Sequence, residues 1–337
     1  MRVVAGKYKG KNLMSPKSDD VRPTTTRIKE TLFNVLQGYV QDSVVLDLFA
    51  GSGALGIEAI SRGAKHVDFV DRSKDSIALV NQNLRGIYGD YSVQNADFIA
   101  ALRSAYVAGT KYDLIFIDPP YATTLGELAL QTIFDLELLK EDGIAVFEHG
   151  SEKKYVLADN RYKVRTKVMG TVTAEFVTRK TVAMMAGSYD PFTRGHEAVL
   201  DEALRRFDEV VVACLVNPDK DYTFNDAQRL AIAEEVCKFK KGARAIFSTK
   251  DAVDVAREVG AEVLVRGIRG DGDKAYENAM ADYNREHGFD TLFIEVDGFK
   301  DVSSTVVREQ LKNGDFRNIP LVAVPLVNSK EFKDLAK

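Results

Sequence analysis

The strongest constraint on the fold of this chain is a strand, glycine turn and helix start that occurs twice. Val45-Leu46-Asp47-Leu48-Phe49-Ala50-Gly51-Ser52-Gly53-Ala54-Leu55-Gly56 is the first. Thr181–Ala186 followed by Gly187-Ser188-Tyr189-Asp190-Pro191-Phe192-Thr193-Arg194-Gly195-His196 is the second. Behind each start, apolar runs alternate with helix-like stretches, the signature of parallel α/β architecture. In the first half the strand candidates are Val44–Phe49, His66–Val70, Ser92–Gln94, Leu114–Asp118 and Ile144–Glu148. Tyr162–Val168 and Ala174–Thr178 are then close enough to pair as a hairpin. Helices are expected over Arg27–Leu36, Gly53–Arg62, Lys74–Gly86 and Leu125–Phe134. In the second half a helix from about Gly195 to Phe207 precedes strands at Val210–Val216, Ala245–Phe247, Glu262–Val265 and Thr291–Glu295, and a last helix starts near Ser303. The expected fold is α/β with two Rossmann-like domains, 1–179 and 180–337, joined near Arg179–Thr181 without a Pro/Gly/Ser-rich linker.

The length of 337 residues suits two domains rather than one core. No apolar run reaches the roughly 18 residues that span a bilayer, and the basic start, Met1–Lys11, has no apolar segment of a secretory signal. Cys214 and Cys237 are the only cysteines, both in apolar segments and neither in a CxxC pattern, which fits core thiols in a reducing cytoplasm and no metal-ligand cluster. Net charge is −4, yet residues 1–29 hold eight Lys or Arg against Asp19 and Asp20. That basic arm points to a surface that meets phosphate; the competing reading is a solvated tail.

Three carboxylates follow successive strands of the first half. Asp47 suits the amino group of a methionine-like ligand, Asp71 ribose hydroxyls, and Asp97 an adenine amino group; all three fall at the carboxyl edge of one sheet. Phe49, Gly51, Ser52 and Gly53 form the turn that brings backbone close to such a ligand. At the end of the fourth strand stands Asp118-Pro119-Pro120-Tyr121. Its stiff turn presents the Asp118 carboxylate and the Pro119 carbonyl to an exocyclic amine, with Tyr121 as a stacking face for a base taken out of its stack.

These motifs, with Arg2–Leu13 (RVVAGKYKGKNL), Arg22-Pro23-Thr24-Thr25-Thr26-Arg27 and Glu30-Thr31-Leu32-Phe33-Asn34, resemble the RsmD family of bacterial 16S rRNA guanine-N2 methyltransferases over residues 1 to about 179. The resemblance implies S-adenosyl-L-methionine (SAM) as cofactor and a guanine N2 in 16S rRNA, or in a small-subunit assembly intermediate, as target. It also assigns Arg2, Lys7, Lys9, Lys11, Arg22, Thr24 and Arg27 to RNA contacts. Spacing alone leaves DNA or protein amino groups open as substrates.

In the second half, Thr193 and His196 lie three residues apart at a helix start, so both are expected to face one ligand, with the helix N-terminus favouring phosphate. Downstream come Asn217-Pro218-Asp219-Lys220, Arg266-Gly267-Ile268-Arg269 and Ser303-Ser304-Thr305-Val306-Val307-Arg308-Glu309. The last reads either as a phosphate cradle or as a helix cap with Arg308 and Glu309 in solvent. This order resembles phosphopantetheine adenylyltransferase over the whole half. It implies that Gly195, His196, Lys220, Arg269, Glu277, Ser303, Ser304 and Thr305 handle ATP and its phosphates, with Mg²⁺ as counter-ion. It further implies that Ser188, Lys220, Arg266 and Asn284 meet 4'-phosphopantetheine and that copies assemble through this half. His196, Lys220 and Arg269 would carry the chemistry. Departures from that family's pattern are Ser188 for Thr, Ala186 for Pro, Lys274 for an aromatic and Phe299 for Trp. Other readings are transfer of a nucleotidyl group to a different phosphorylated acceptor, or nucleotide binding without catalysis.

Overall fold

The structure, a computed structural model, describes residues 1–15, 26–121, 123–268, 271–299, 301–330 and 332, with backbone alone for 271–277. The chain divides into two compact units, Met1–Arg179 and Lys180–Lys337.

The first unit runs α1 (Thr26–Val35), β1 (Val44–Asp47), α2 (Ala54–Ser61), β2 (His66–Asp71), α3 (Lys74–Asn83), β3 (Tyr91–Asn95), α4 (Phe98–Val107), β4 (Tyr112–Ile117), α5 (Leu125–Asp135), β5 (Leu139–Gly150), β6 (Tyr162–Met169) and β7 (Val172–Arg179). Its seven-stranded sheet has the order β3-β2-β1-β4-β5-β7-β6, parallel through β5 and antiparallel at the β5–β7–β6 end. The strand order reverses between β1 and β4, where an open parallel sheet leaves a crevice at its carboxyl edge. Val45, Leu114, Phe116 and Val146 pack on the α1/α2 face, and Leu46, Ile115, Ile117 and Ala145 on the α4/α5 face, so both faces are covered by helices. Gly56 is forced by this packing, because a Cβ there would lie 2.2 Å from Phe69 Cε1.

The N-terminal arm is no solvated tail. Val3 and Leu13 are core residues, and an isolated antiparallel bridge joins Arg2 to Asn12. The arm is fastened to α2. Glu58, fully buried, accepts from the main-chain N–H groups of Val4 (2.8 Å) and Ala5 (2.9 Å) and pairs with Lys29 (3.1 Å) and Arg62 (2.9 Å). Lys29 is 1% exposed and also donates to the Arg2 carbonyl at 2.8 Å.

The second unit runs β8 (Val182–Gly187), α6 (Arg194–Leu204), β9 (Glu209–Leu215), α7 (Asp226–Cys237), β10 (Ala243–Ser248), α8 (Ala252–Val259), β11 (Val263–Ile268), α9 (Asp271–Glu286), β12 (Asp290–Glu295), α10 (Ser304–Lys312) and the short α11 (Val324–Val327). Its five strands are all parallel, in the order β10-β9-β8-β11-β12, and reverse between β8 and β11. Cys214 and Cys237 are buried, and burial pushes their thiols up to about 12 and about 11, so both are inert core groups. Among the described residues no helix is long and apolar enough to cross a membrane.

Removing one partner of a buried ion pair leaves an uncompensated charge. Glu58→Gln should therefore destabilise the first unit by about 3 kcal/mol. The check is denaturant unfolding of the full chain with amide exchange at Val4 and Ala5. Those amides should lose protection before the sheet does.

Candidate functional sites

The first candidate site lies at the β1/β4 edge. The turn after β1 places Gly51 and Gly53 at φ 54° and 73°, a region that L side chains rarely occupy. The Gly51 N–H donates to Asp71 Oδ2 (2.9 Å) and the Ser73 N–H to Asp71 Oδ1 (2.7 Å), so Asp71 fixes the glycine turn against the end of β2. The Ser52 carbonyl accepts from Asn83 on α3 (2.9 Å), and Phe49, half-buried, leans on Phe98 with ring centroids 5.4 Å apart. Asp97 caps α4 by accepting from Ile99 N–H (2.9 Å) and remains exposed.

Asp47 is 2% exposed and accepts from Gly56 N–H at 3.0 Å. Burial, opposed by that hydrogen bond and reinforced by Asp118 and Asp71, pushes its carboxyl up to about 8. It thus braces the α2 start, and a cationic ligand beside it would favour its ionised form. Asp118 follows β4 and Pro119 is buried beneath it. Lys153 donates to the carbonyls of Tyr121 (2.7 Å) and Thr123 (3.1 Å), which clamps the proline turn. Sequence reasoning gave no role to Glu148, which lies in the buried part of β5 beside Asp118 with 1% exposure. Its signal was a carboxylate closing the apolar run Ile144–Phe147.

Of the arm residues, Arg2, Lys7, Lys9 and Arg27 are exposed, and Lys7 lies 5.4 Å from the Tyr8 ring centroid. Lys11 differs, since its ammonium donates to the Arg85 carbonyl. Arg22 and Thr24 lie outside the described residues.

The second candidate site is a cavity of about 560 Å³ at the β8/β11 edge. Ser188, Gly195, His196, Lys220, Arg266, Ser303, Ser304 and Thr305 all line it. Thr193 is a correction. It is 1% exposed and caps α6, accepting from His196 N–H (3.4 Å), while its own N–H donates to His196 Nδ1 (3.0 Å). This reciprocal cap makes Nδ1 an acceptor, so in the neutral ring the hydrogen sits on Nε2. Gly195 lines the cavity without steric necessity from the protein, as an added Cβ would meet only ordinary contacts at 3.6 Å.

The three hydroxyls at α10 all have partners. Ser303 caps the helix (Val306 N–H, 3.2 Å), Ser304 donates to the Pro191 carbonyl (3.1 Å), and Thr305 accepts from Arg308 (3.0 Å). Arg308 is not in solvent. It donates to the Asp190 carbonyl at 2.8 Å and lines the cavity. Asn284 on α9 is 3% exposed, and its amide donates to Thr291 Oγ1 at 3.0 Å. Arg266 donates to the Ala186 carbonyl at 2.7 Å. Arg269 lies outside the described residues, as do the side chains of Lys274 and Glu277.

Two positioning residues escaped the sequence reading. Asp190, 4% exposed, accepts from Thr223 N–H (3.0 Å) and Phe224 N–H (2.8 Å) and so ties the turn after β8 to the loop before α7. Arg229 on α7 is fully buried. It donates to the carbonyls of Ser188 and Leu215 and lies 4.0 Å from the Tyr222 ring centroid. The Tyr222 hydroxyl reaches Ser188 Oγ at 3.5 Å.

Residues 1–178 match the family described as Conserved hypothetical protein 95, and residues 184–310 the family described as Cytidylyltransferase-like. Among curated proteins, YlbH of Bacillus subtilis is 41% identical over 154 residues, covering 45% of this chain and 84% of that one. Ribosomal RNA small subunit methyltransferase D of Haemophilus influenzae is 33% identical over 177 residues, 51% of this chain and 91% of that one. Phosphopantetheine adenylyltransferase of Porphyromonas gingivalis is 38% identical over 141 residues, 40% of this chain and 90% of that one. The chain thus belongs to the Conserved hypothetical protein 95 family, that of the small-subunit rRNA methyltransferase D proteins, and joins to it in one polypeptide an enzyme of the phosphopantetheine adenylyltransferase family.

Proposed function

We propose that the first unit methylates the exocyclic N2 of a guanine in 16S rRNA, free or in a small-subunit assembly intermediate, with SAM as donor. The observation that carries this reading is the DPPY turn at the strand-order reversal, beside a glycine turn held by Asp71. SAM supplies an electrophilic methyl on a cationic sulfur. Asp71, already accepting from Gly51 and Ser73 N–H, offers its lone pairs to ribose hydroxyls, and the Asp47 carboxyl offers negative charge to a cationic ligand. Asp118 and the Pro119 carbonyl orient the amine hydrogens so that the nitrogen lone pair faces the methyl, and Tyr121 stacks on the base. Catalysis is then mostly positioning. Arg2, Lys7, Lys9 and Arg27 provide a phosphate-binding face.

The second unit, in the same reading, transfers the adenylyl group of ATP to 4'-phosphopantetheine, giving dephospho-coenzyme A and pyrophosphate. The observation that carries it is the His196 cap, which aims an Nε2–H donor from the α6 N-terminus into a cavity also lined by Lys220, Arg266 and Arg308. ATP supplies the activated α-phosphorus, with Mg²⁺ held mainly by its phosphates. The acceptor phosphate attacks in line, and no protein nucleophile is required. His196 donates to charge that develops on the phosphate oxygens, supported by the helix N-terminus. Ser188, held by Arg229 and near Tyr222, sits where an acceptor would enter. Both activities suit a reducing cytoplasm.

Asp118→Ala should lower methylation of 16S rRNA by on the order of 10² while leaving SAM affinity within a few-fold. Asp71→Ala should instead weaken SAM binding. Single-turnover methylation and calorimetric titration separate the two. Wild-type methylation by Asp118→Ala would remove the basis of the reading.

Replacing Lys7 and Lys9 with Ala should weaken RNA binding and reduce the slope of log affinity against log salt by roughly 1.5. Adenylyl transfer should not change. Lys11 is unsuitable for this test, since its partner is the protein itself.

His196→Asn, which keeps a cap acceptor for Thr193 N–H but loses the Nε2 donor, should cut pyrophosphate release by on the order of 10² or more. ATP affinity should fall less, because the donor acts on late-developing charge. The assay is pyrophosphate release with a panel of phosphorylated acceptors. Release with another acceptor and none with phosphopantetheine would reassign the substrate.

A further inference from the structure

Glu148 is the one buried carboxylate at the β1/β4/β5 edge whose chemistry the foregoing does not use. Ile117 pairs with Phe147 in the parallel β4/β5 register, so Asp118 and Glu148 are the next residues on adjacent strands. Asp118 follows Phe116 and Glu148 follows Val146 on the α1/α2 face, where Asp47 follows Val45. Asp118 and Glu148 are therefore level on adjacent strands, and Asp47 stands on the same face of β1 two residues further back. Glu148 Oε1 is buried and has no hydrogen-bond partner among the described residues. Leaving a buried carboxylate oxygen unmatched is costly, so the site is incomplete without a ligand or a proton. The contrast with its neighbour is direct. His149, facing the other side of β5, is satisfied by Glu175 (3.2 Å) and the Gly150 carbonyl (2.9 Å), and Thr166 completes Glu175.

Among the described residues the charges near this edge have defined neighbours. Asp118 on β4 and Asp47 on β1 face Glu148, with Asp71 behind Asp47. Lys29 on α1 and Arg62 after α2 are spent on Glu58. Burial first, then Asp118 and Asp47, hold the Glu148 carboxyl well above the usual carboxylate range, which favours its protonated form in the ligand-free protein.

We propose that Glu148 is the final acceptor of the proton released by the target amine, and that it is freed for this role by the arrival of a sulfonium beside it. The inference rests on reading this edge as the methyl-transfer site. In the transfer, the amine lone pair forms the N–CH₃ bond and the C–S bonding pair returns to sulfur. The N–H bonding pair stays on nitrogen, and its proton passes to Asp118, which orients that hydrogen, and on to Glu148. The site loses the positive charge of the sulfonium as it gains the proton, so its net charge is the same before and after. A water-filled edge would need no such device. At an edge that also holds the buried Asp47 and the partly buried Asp118, the balance removes the cost of creating or stranding a charge.

The test compares two ligands on the full chain. Calorimetric titration at pH 7.5, in buffers of unlike ionisation enthalpy, counts protons released on binding SAM and on binding S-adenosylhomocysteine, which lacks the sulfonium charge. SAM should release more protons than S-adenosylhomocysteine, by linkage. In Glu148→Gln the difference should vanish while both ligands still bind. Methylation by the variant should fall by on the order of 10² and lose the acidic limb of its pH profile. Equal proton counts for the two ligands on the wild-type chain would overturn the proposal, and that comparison decides even where Glu148→Gln fails to fold. Persistence of the extra proton in a folded Glu148→Gln would overturn it too. Absence of any SAM binding would instead overturn the methyltransferase reading beneath it, a distinguishable result.

Discussion

Buried carboxylates that accept main-chain N–H groups hold both units together where the chemistry is placed. Glu58, wholly buried, takes two amides of the N-terminal arm and the charges of Lys29 and Arg62. Asp190 takes two amides of the loop before α7 and is met by Arg308 from α10. In each case several segments distant in sequence share one acceptor. An acceptor of this kind is worth little where solvent competes and much where it does not, so loss of any partner exposes the full desolvation cost. The glycine turn and the His196 turn, both irregular backbone, rest on such ties rather than on helix or sheet ladders.

The two units apply one architecture to opposite electrostatic tasks. Each sheet reverses its strand order next to its first strand, and each opens its crevice there. In the first unit the edge carries Asp47, Asp71, Asp118 and Glu148, which suits a cationic methyl donor. In the second it carries His196, Lys220, Arg266 and Arg308 at a helix N-terminus, which suits a triphosphate. Strand topology supplies the crevice, and the residues just beyond the strand ends determine which charge enters it.

Much of this was legible in the sequence because parallel strands buried on both faces read as apolar runs, and a functional residue placed just after such a run is marked by position. The glycine turn, DPPY and the restarted strand at 181 were found that way. Helix α4 was missed; its apolar residues Phe98, Ala101 and Leu102 sit close behind β3, and Asp97 drew attention as a ligand group rather than as the α4 cap it is. Periodicity also could not tell a hydroxyl that faces a ligand from one that caps a helix, which is why Thr193 was placed in the site and lies outside it. The roles of Arg308, Arg229 and Glu148 were not legible, for a common reason. Their importance comes from partners more than ten residues away, such as Asp190, Ser188 and Asp118, and only the folded chain brings those together.

The reciprocal bond between Thr193 and His196 also bears on how this second unit can change over time. The ring that donates to a substrate is the same ring that closes the first turn of α6, so a substitution at 196 is felt at once by turnover and by the register of the helix. A substitution at 193 that removes the hydroxyl takes away the acceptor of the His196 N–H at the first turn of α6, while the main-chain N–H of residue 193 still donates to Nδ1. Neutral drift through either position is therefore narrow. The contact between the Tyr222 and Ser188 hydroxyls, 3.5 Å, closes no helix turn, so a change there is not tied to the register of α6.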